Sequence, residues 1–268
     1  YYSPIPDRDE LAAHLERYEP GHAVLPEIDF NAEHQRDVLA GFGRFTHELP
    51  FPEQPDPACR YHYRQEWFGH ADAIFLYSML RLHAPRTVIE VGSGYSSAVM
   101  LETTERFLPD TRLTFLEPHT ERLRGLLRDG DRERCTILEQ RVQDVPLETF
   151  AALGPGDLLF IDSSHVLKCG SDLQLLLFEV LPHLPEGVFV HFHDVFYPFE
   201  YPKEWLHAGR YWNECYMLRA FLAHNRDWSI HAFSHYAAFL LRDAVEQHVP
   251  LCLQNPGGSL YLQRTARS

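Results

Sequence analysis

Two short segments gather the side chains best suited to acid–base work. One reads Phe160-Ile161-Asp162-Ser163-Ser164-His165, the other Val190-His191-Phe192-His193-Asp194. Each leaves an apolar run. If the runs are adjacent parallel strands, their carboxyl ends bring two carboxylates and two or three imidazoles to one edge, where open α/β sheets bind ligands. With 17 histidines in the chain, any single one is more often a surface or hydrogen-bonded imidazole, so the convergence carries the signal. His191 shares a strand face with Phe189 and His193 and is read as buried and hydrogen-bonded rather than as a ligand.

A third segment is Glu90-Val91-Gly92-Ser93-Gly94-Tyr95-Ser96-Ser97. Its glycines let backbone approach a ligand, while Ser96 or Ser97 can cap the helix that follows. Glu117, 23 residues after Gly94, ends the next strand, where a carboxylate can accept from both hydroxyls of a ribose. Glu90, at the start of the turn, could pair a ligand ammonium. A dinucleotide fingerprint would place a third glycine near Ser97, and none is there.

Positioning these groups requires alternating strands and helices. From Arg86 onward, candidate strands are Thr87–Val91, Arg112–Glu117, Thr136–Gln140, Asp157–Asp162 and Gly187–His193. Helices are expected near Ser97–Phe107, Thr120–Asp129, Leu147–Leu153 and Ser171–Leu181, each long enough to cross one sheet face. Trp228–Phe233, Ala237–Leu241 and Ser259–Arg264 have no such helices between them and read as antiparallel edge strands. The proline-marked stretch from Pro4 to Pro57, with amphipathic segments Asp9–Tyr18 and Asn31–Leu49, reads as an N-terminal cap. A helix over Ala71–His83 follows, ended by Ala84-Pro85. Between Phe196 and Asn225 lies an aromatic insert including Trp205, Tyr211 and Trp212; leaving the catalytic edge directly, it is placed to be a lid. Asn213 and Glu214 open a helix-like run there, with capping as their expected role. The Tyr61–Arg64 and Trp67-Phe68 cluster could close the other side of the pocket.

Bulk properties narrow the partners. The chain has 268 residues, 45% hydrophobic, enough for a full core and about one large domain. A net charge of −14 repels phosphate backbones, so no nucleic-acid partner is expected. No apolar run is long enough for a membrane span, and Tyr1–Glu10 is polar, so neither a membrane anchor nor a signal peptide is expected. Five scattered cysteines without a Cys-x-x-Cys pair argue against disulfides and a cysteine zinc site, and fit a cytoplasmic protein.

The Glu-x-Gly-x-Gly turn and the acidic end of strand two make Arg86 to about Arg264 resemble a class I S-adenosylmethionine (SAM) dependent methyltransferase. The resemblance implies a Rossmann-like α/β fold, a seven-stranded mostly parallel sheet with helices on both faces. Residues 1–85 would form the cap and first helix, and 86–268 the methyltransferase domain, with a lid insert at about 196–225. Its cofactor contacts would be Glu90, Gly92, Ser93, Gly94, Glu117, Asp162 and, beside the adenine, Gln143 within Val142-Gln143-Asp144. The Asp162-x-x-His165 stretch, then Asp172 and His193-Asp194, is similar to the metal-dependent macrocin-type small-molecule O-methyltransferases. That likeness implies a divalent metal ion on Asp162 and Asp194 with His165 as general base. His193 stands where an acidic ligand belongs, and a set of Asp162, His193 and Asp194 would suit Mn, Fe or Zn better than Mg. The expected reaction is O-methylation of a small polar acceptor, a sugar or secondary metabolite; the sequence leaves open whether the chain is a homo-oligomer. Two other readings stand beside it, a nicotinamide-dependent (NAD) oxidoreductase and a catalytically silent SAM-binding protein of a biosynthetic cluster.

Overall fold

Strands β1 (Thr87–Val91), β4 (Leu158–Ile161) and β5 (Phe189–Phe192) bury nearly every side chain. Such near-continuous apolar runs suit parallel strands covered on both faces. The computed structural model, which describes residues 3, 5–17 and 24–265, joins them with β2 (Arg112–Leu116), β3 (Cys135–Leu138), β6 (Trp228–Phe233) and β7 (Leu260–Arg264) in one seven-stranded sheet. The order is β3-β2-β1-β4-β5-β7-β6. The first five strands are parallel; β7 lies antiparallel to β5 and β6, with a bulge between Ile230 and Ala232.

Before the sheet come α1 (Arg8–Arg17), α2 (Ala32–Gly43) and α3 (His70–His83). All side chains from Ala71 to Leu80 are buried, so α3 is enclosed on every side. It stops at Ala84, whose φ of 45° breaks the helix ahead of Pro85. Leu15, Val38 and Phe42 of the N-terminal helices belong to the same hydrophobic core as the sheet. Arg60 pins the intervening segment: its side chain, 2% exposed, reaches Glu102 at 2.9 Å, Glu105 at 2.7 Å and Asp131 at 2.7 Å. Glu102 and Glu105 lie on α4 (Tyr95–Phe107), the helix that leaves the glycine turn.

Several elements differ from the sequence expectation. Ala237–Leu241 is not a strand: Ser234–Leu240 is helical, burying Tyr236, Ala237 and Ala238 and exposing Phe239 and Leu240. A short apolar run fits either periodicity, and its two alanines favour helix. The Ser171–Leu181 crossover is a composite of α-turn, π-turn and 3₁₀ turn over Asp172–His183, and Leu147–Ala152 is 3₁₀. Tyr18, in the first amphipathic stretch, and Pro4, in the expected cap, lie outside the described residues. No helix among the described residues is long and apolar enough to cross a membrane.

Candidate active site

The carboxyl ends of β1, β2, β4 and β5 open onto a cavity of about 640 Å³. Its floor is the turn from β1 into α4. Gly92 has φ +83°, and a Cβ there would stand 1.7 Å from the Asp162 carbonyl oxygen, so neither the conformation nor the space admits another residue. The Gly94 N–H donates to Ser97 Oγ at 3.0 Å. Gly92, Ser93, Gly94 and Ser96 line the cavity.

Glu90 does not reach it. It is fully buried beneath the turn, where Ser96 donates to Oε1 at 2.5 Å and Ser97 donates to Oε2. Burial pushes its carboxyl up to about 8, against the pull of these serine hydrogen bonds. Its place is that of a brace holding both serines at the helix start, and the ammonium contact expected for it has no geometry here. Glu117 lies at the cavity edge just beyond β2; it accepts from the N–H of Ser93 at 3.0 Å and of His119 at 2.7 Å. Gln143 is elsewhere: on the turn Val142–Asp144 its amide donates to the Gly170 carbonyl, outside the cavity lining.

On the opposite wall the structure brings Asp162, His165, His193 and Asp194 together. Asp162 follows β4; His165 and Asp194 both adopt left-handed backbone, with φ of 58° and 56°. Such conformations are uncommon outside glycine and cost energy unless their surroundings impose them. His165 Nε2 lies 3.3 Å from Asp162 Oδ1 and 3.8 Å from Asp194 Oδ2; its Nδ1 lies 2.7 Å from Glu214 Oε2. Burial opposes charge on this imidazole, but the hydrogen bonds to Asp162 and Glu214 prevail and hold it well above its usual value. His193 behaves likewise: burial disfavours its charge, and Asp194 and Asp162 raise it overall. Burial lifts the Asp194 carboxyl, whereas Asp162, desolvated too, is held below its usual value by His193 and His165. His191 is fully buried, stacked on Phe160 at 3.8 Å and within 3.1 Å of Ser259 Oγ, away from this group's chemistry.

The residues expected to hold a metal lie close together and pair with one another. Among the described residues no group of three or more His, Cys, Asp or Glu side chains could hold a metal ion. His165 Nε2 lies within 3.8 Å of both Asp162 and Asp194, and His193 Nε2 faces Asp194 at 3.6 Å. Asp172 is drawn off as well, holding the Ser164 backbone N–H at 2.8 Å and its hydroxyl at 2.6 Å.

The insert supplies the rest of the wall. Phe196, Pro202, Trp205, Arg210 and Trp212 line the cavity, with Trp212 stacked on His165 at 4.3 Å and Arg210 over Trp205 at 4.5 Å. From the N-terminal segment come Trp67, with Arg122 over its ring at 4.1 Å, and Asp72, which accepts from the Gly258 N–H at 2.9 Å and so ties α3 to the Asn255–Gly258 loop. Sequence reasoning missed Asp72 and that loop. It gave Glu214 only a capping role, and an acid opening a helix inside the aromatic insert was the available signal.

Residues 89–195 match the family described as a methyltransferase domain. The chain is similar to a protein of Archaeoglobus fulgidus described only as uncharacterized, with 30% identity over 161 residues covering 57% of this chain and 71% of that one. Among solved structures it is similar to CmcI with Mg and SAM, at 20% identity, covering 83% of this chain and 84% of that one, TM-score 0.45. It is also similar to the O-methyltransferase TomG from Streptomyces achromogenes, involved in tomaymycin synthesis and solved in complex with SAM, at 16% identity, covering 87% and 90%, TM-score 0.44.

Proposed function

We propose that this chain is a class I SAM-dependent methyltransferase that transfers the methyl group to an oxygen of a small polar acceptor with His165 as the proton acceptor. The observation that carries the reading is the sharing of one cavity by the Gly92–Gly94 turn, Glu117 and the His165 cluster. The turn offers close backbone approach, and Glu117, already oriented by two backbone N–H groups, offers a carboxylate to the ribose hydroxyls. SAM supplies a methyl already activated by its sulfonium, so the protein's task is chiefly alignment and proton removal. As the acceptor oxygen bonds to the methyl carbon, the carbon–sulfur bond breaks, S-adenosylhomocysteine (SAH) leaves, and the hydroxyl proton passes to His165. No step of this reading passes through a metal.

Calorimetric titration tests the first half. SAM and SAH should bind, and either at 100 times its dissociation constant should add about 2.7 kcal/mol of apparent stability. Binding of NADH with neither SAM nor SAH would overturn the reading in favour of an oxidoreductase. The second half is tested by SAH release with hydroxylated acceptors; SAM binding without turnover on any of them would leave a silent binding protein.

A further inference from the structure

Glu214 is a strange residue to find buried. It opens the helix Glu214–Leu222, a position where an acid can serve the helix terminus from the surface, yet it is 1% exposed. Burying a carboxylate is costly unless it is paired. Its Oε2 faces His165 Nδ1 at 2.7 Å, and among the described residues Oε1 has no hydrogen-bond partner. The arrangement is thus aimed at one nitrogen of one imidazole.

The two residues before it hold the same loop. Asn213 grips Leu167 from both sides, its Oδ1 accepting from the Leu167 N–H at 2.6 Å and its Nδ2 donating to the Leu167 carbonyl at 3.1 Å. Its backbone N–H donates to the His165 carbonyl at 3.2 Å. Trp212 stacks on the His165 ring. Three consecutive residues of the insert therefore fix the backbone, plane and Nδ1 of a residue whose left-handed φ needs such support.

We propose that Glu214 is the positioning residue for His165: it accepts the Nδ1 proton and so leaves Nε2 as the nitrogen that takes the proton from the acceptor hydroxyl. Which ring nitrogen is free is set by the hydrogen bond at the other. The insert then contributes to chemistry as well as to enclosure, because residues 212–214 hold the Nδ1 side, the plane and the backbone of the base. This role rests on the methyltransferase reading with His165 as proton acceptor.

The test compares Glu214→Gln, which keeps shape and loses charge, with Glu214→Asp, which keeps charge at shorter reach, using the full chain and catechol as acceptor probe. Glu214→Gln should lower kcat for SAH formation about 10- to 100-fold, part of what general base catalysis contributes, with KM for SAM within twofold and Tm unchanged. Glu214→Asp should recover part of the loss. Unaltered kcat in Glu214→Gln, or a loss that merely follows lower SAM affinity and Tm, would overturn the proposal. A second measurement needs no turnover. In the wild-type SAH complex the Nδ1 proton of His165, identified by its disappearance in His165→Ala, should resonate far downfield and vanish in Glu214→Gln. Persistence of that resonance in Glu214→Gln would also overturn it. Failure of the wild-type protein to bind SAH would instead sink the underlying methyltransferase reading.

Discussion

Two aspartates flank strand β4 and lead opposite lives. Asp157, at the amino end and 2% exposed, accepts from the N–H groups of Arg86, Thr87 and Gly154, each at 2.9 Å. Its acceptor capacity is spent on the protein's own backbone, locking β4 to the start of β1. Asp162, at the carboxyl end, has a side chain about one-third exposed and lies among imidazoles that can exchange protons with a ligand. The contrast extends to the neighbours of Asp162. At the carboxyl edge, among the described residues, His193 Nδ1, Ser163 Oγ and Glu214 Oε1 are buried without hydrogen-bond partners, and the non-glycine residues His165 and Asp194 take left-handed backbone. Unmet polarity and left-handed non-glycine backbone thus gather around the cavity, where a ligand can use them.

The largest effect should come from removing the group that most distinguishes the functional edge. His165→Ala should slow SAH formation by about 10²- to 10⁴-fold while leaving SAM affinity nearly unchanged. Near-normal turnover would place the proton acceptor elsewhere, with Asp194 the next candidate. At the opposite edge, Asp157→Ala should do the reverse. Three backbone donors lose their acceptor, so urea denaturation should show a loss of about 3 kcal/mol, whereas Asp162→Ala should cost far less stability. Equal losses from the two substitutions would erase the contrast.

Glu117→Ala should weaken SAM binding by roughly 1.5 to 3 kcal/mol, the range for hydrogen bonds to a charged group, measured by titration. An unchanged affinity would remove Glu117 from the ribose site. The smallest effect concerns pH. A free imidazole titrates near 6.5, but the neighbours of His165 hold it well above that in the fold. The stabilisation from its charge should be complete below about pH 6.5 and be lost as pH rises through the higher folded value. Activity requires the uncharged ring, so kcat/KM should climb over the same interval in which this contribution to stability declines. A kcat/KM profile already flat by pH 6.5 would contradict the raised imidazole.

Much of the scaffold is written in local pattern. Apolar β-branched runs marked β1 at its observed limits, and the acidic end of strand two placed Glu117 at the cavity. Asp162, His165 and Asp194 were legible because each lies within four residues of a strand's carboxyl end, and parallel strands bring those ends together. What local pattern does not encode is the direction a side chain takes after a tight turn. Glu90 points beneath the glycine turn, and Gln143 sits on a short 3₁₀ turn facing the Gly170 carbonyl. The pairing of His165 with Glu214 spans 49 residues and depends on how the insert folds back, which no spacing rule contains. The metal set is likewise a matter of side-chain direction: the residue types are compatible with a cation, and the left-handed turn at His165 brings its imidazole within reach of both aspartates.

The placement of β7 bears on how this molecule is made. Last in the chain, it is inserted between β5 and β6, and β6 is the outermost strand beside it. As the nascent polypeptide leaves the ribosome, β6 emerges first but cannot join the sheet until residues 260–264 arrive to bridge it to β5. During that interval β5 presents an open, apolar edge, the kind of surface that pairs with other chains. Sheet closure therefore waits for β7, and a ribosome that stops short of residue 260 would release a chain with an unsealed edge beside its active site.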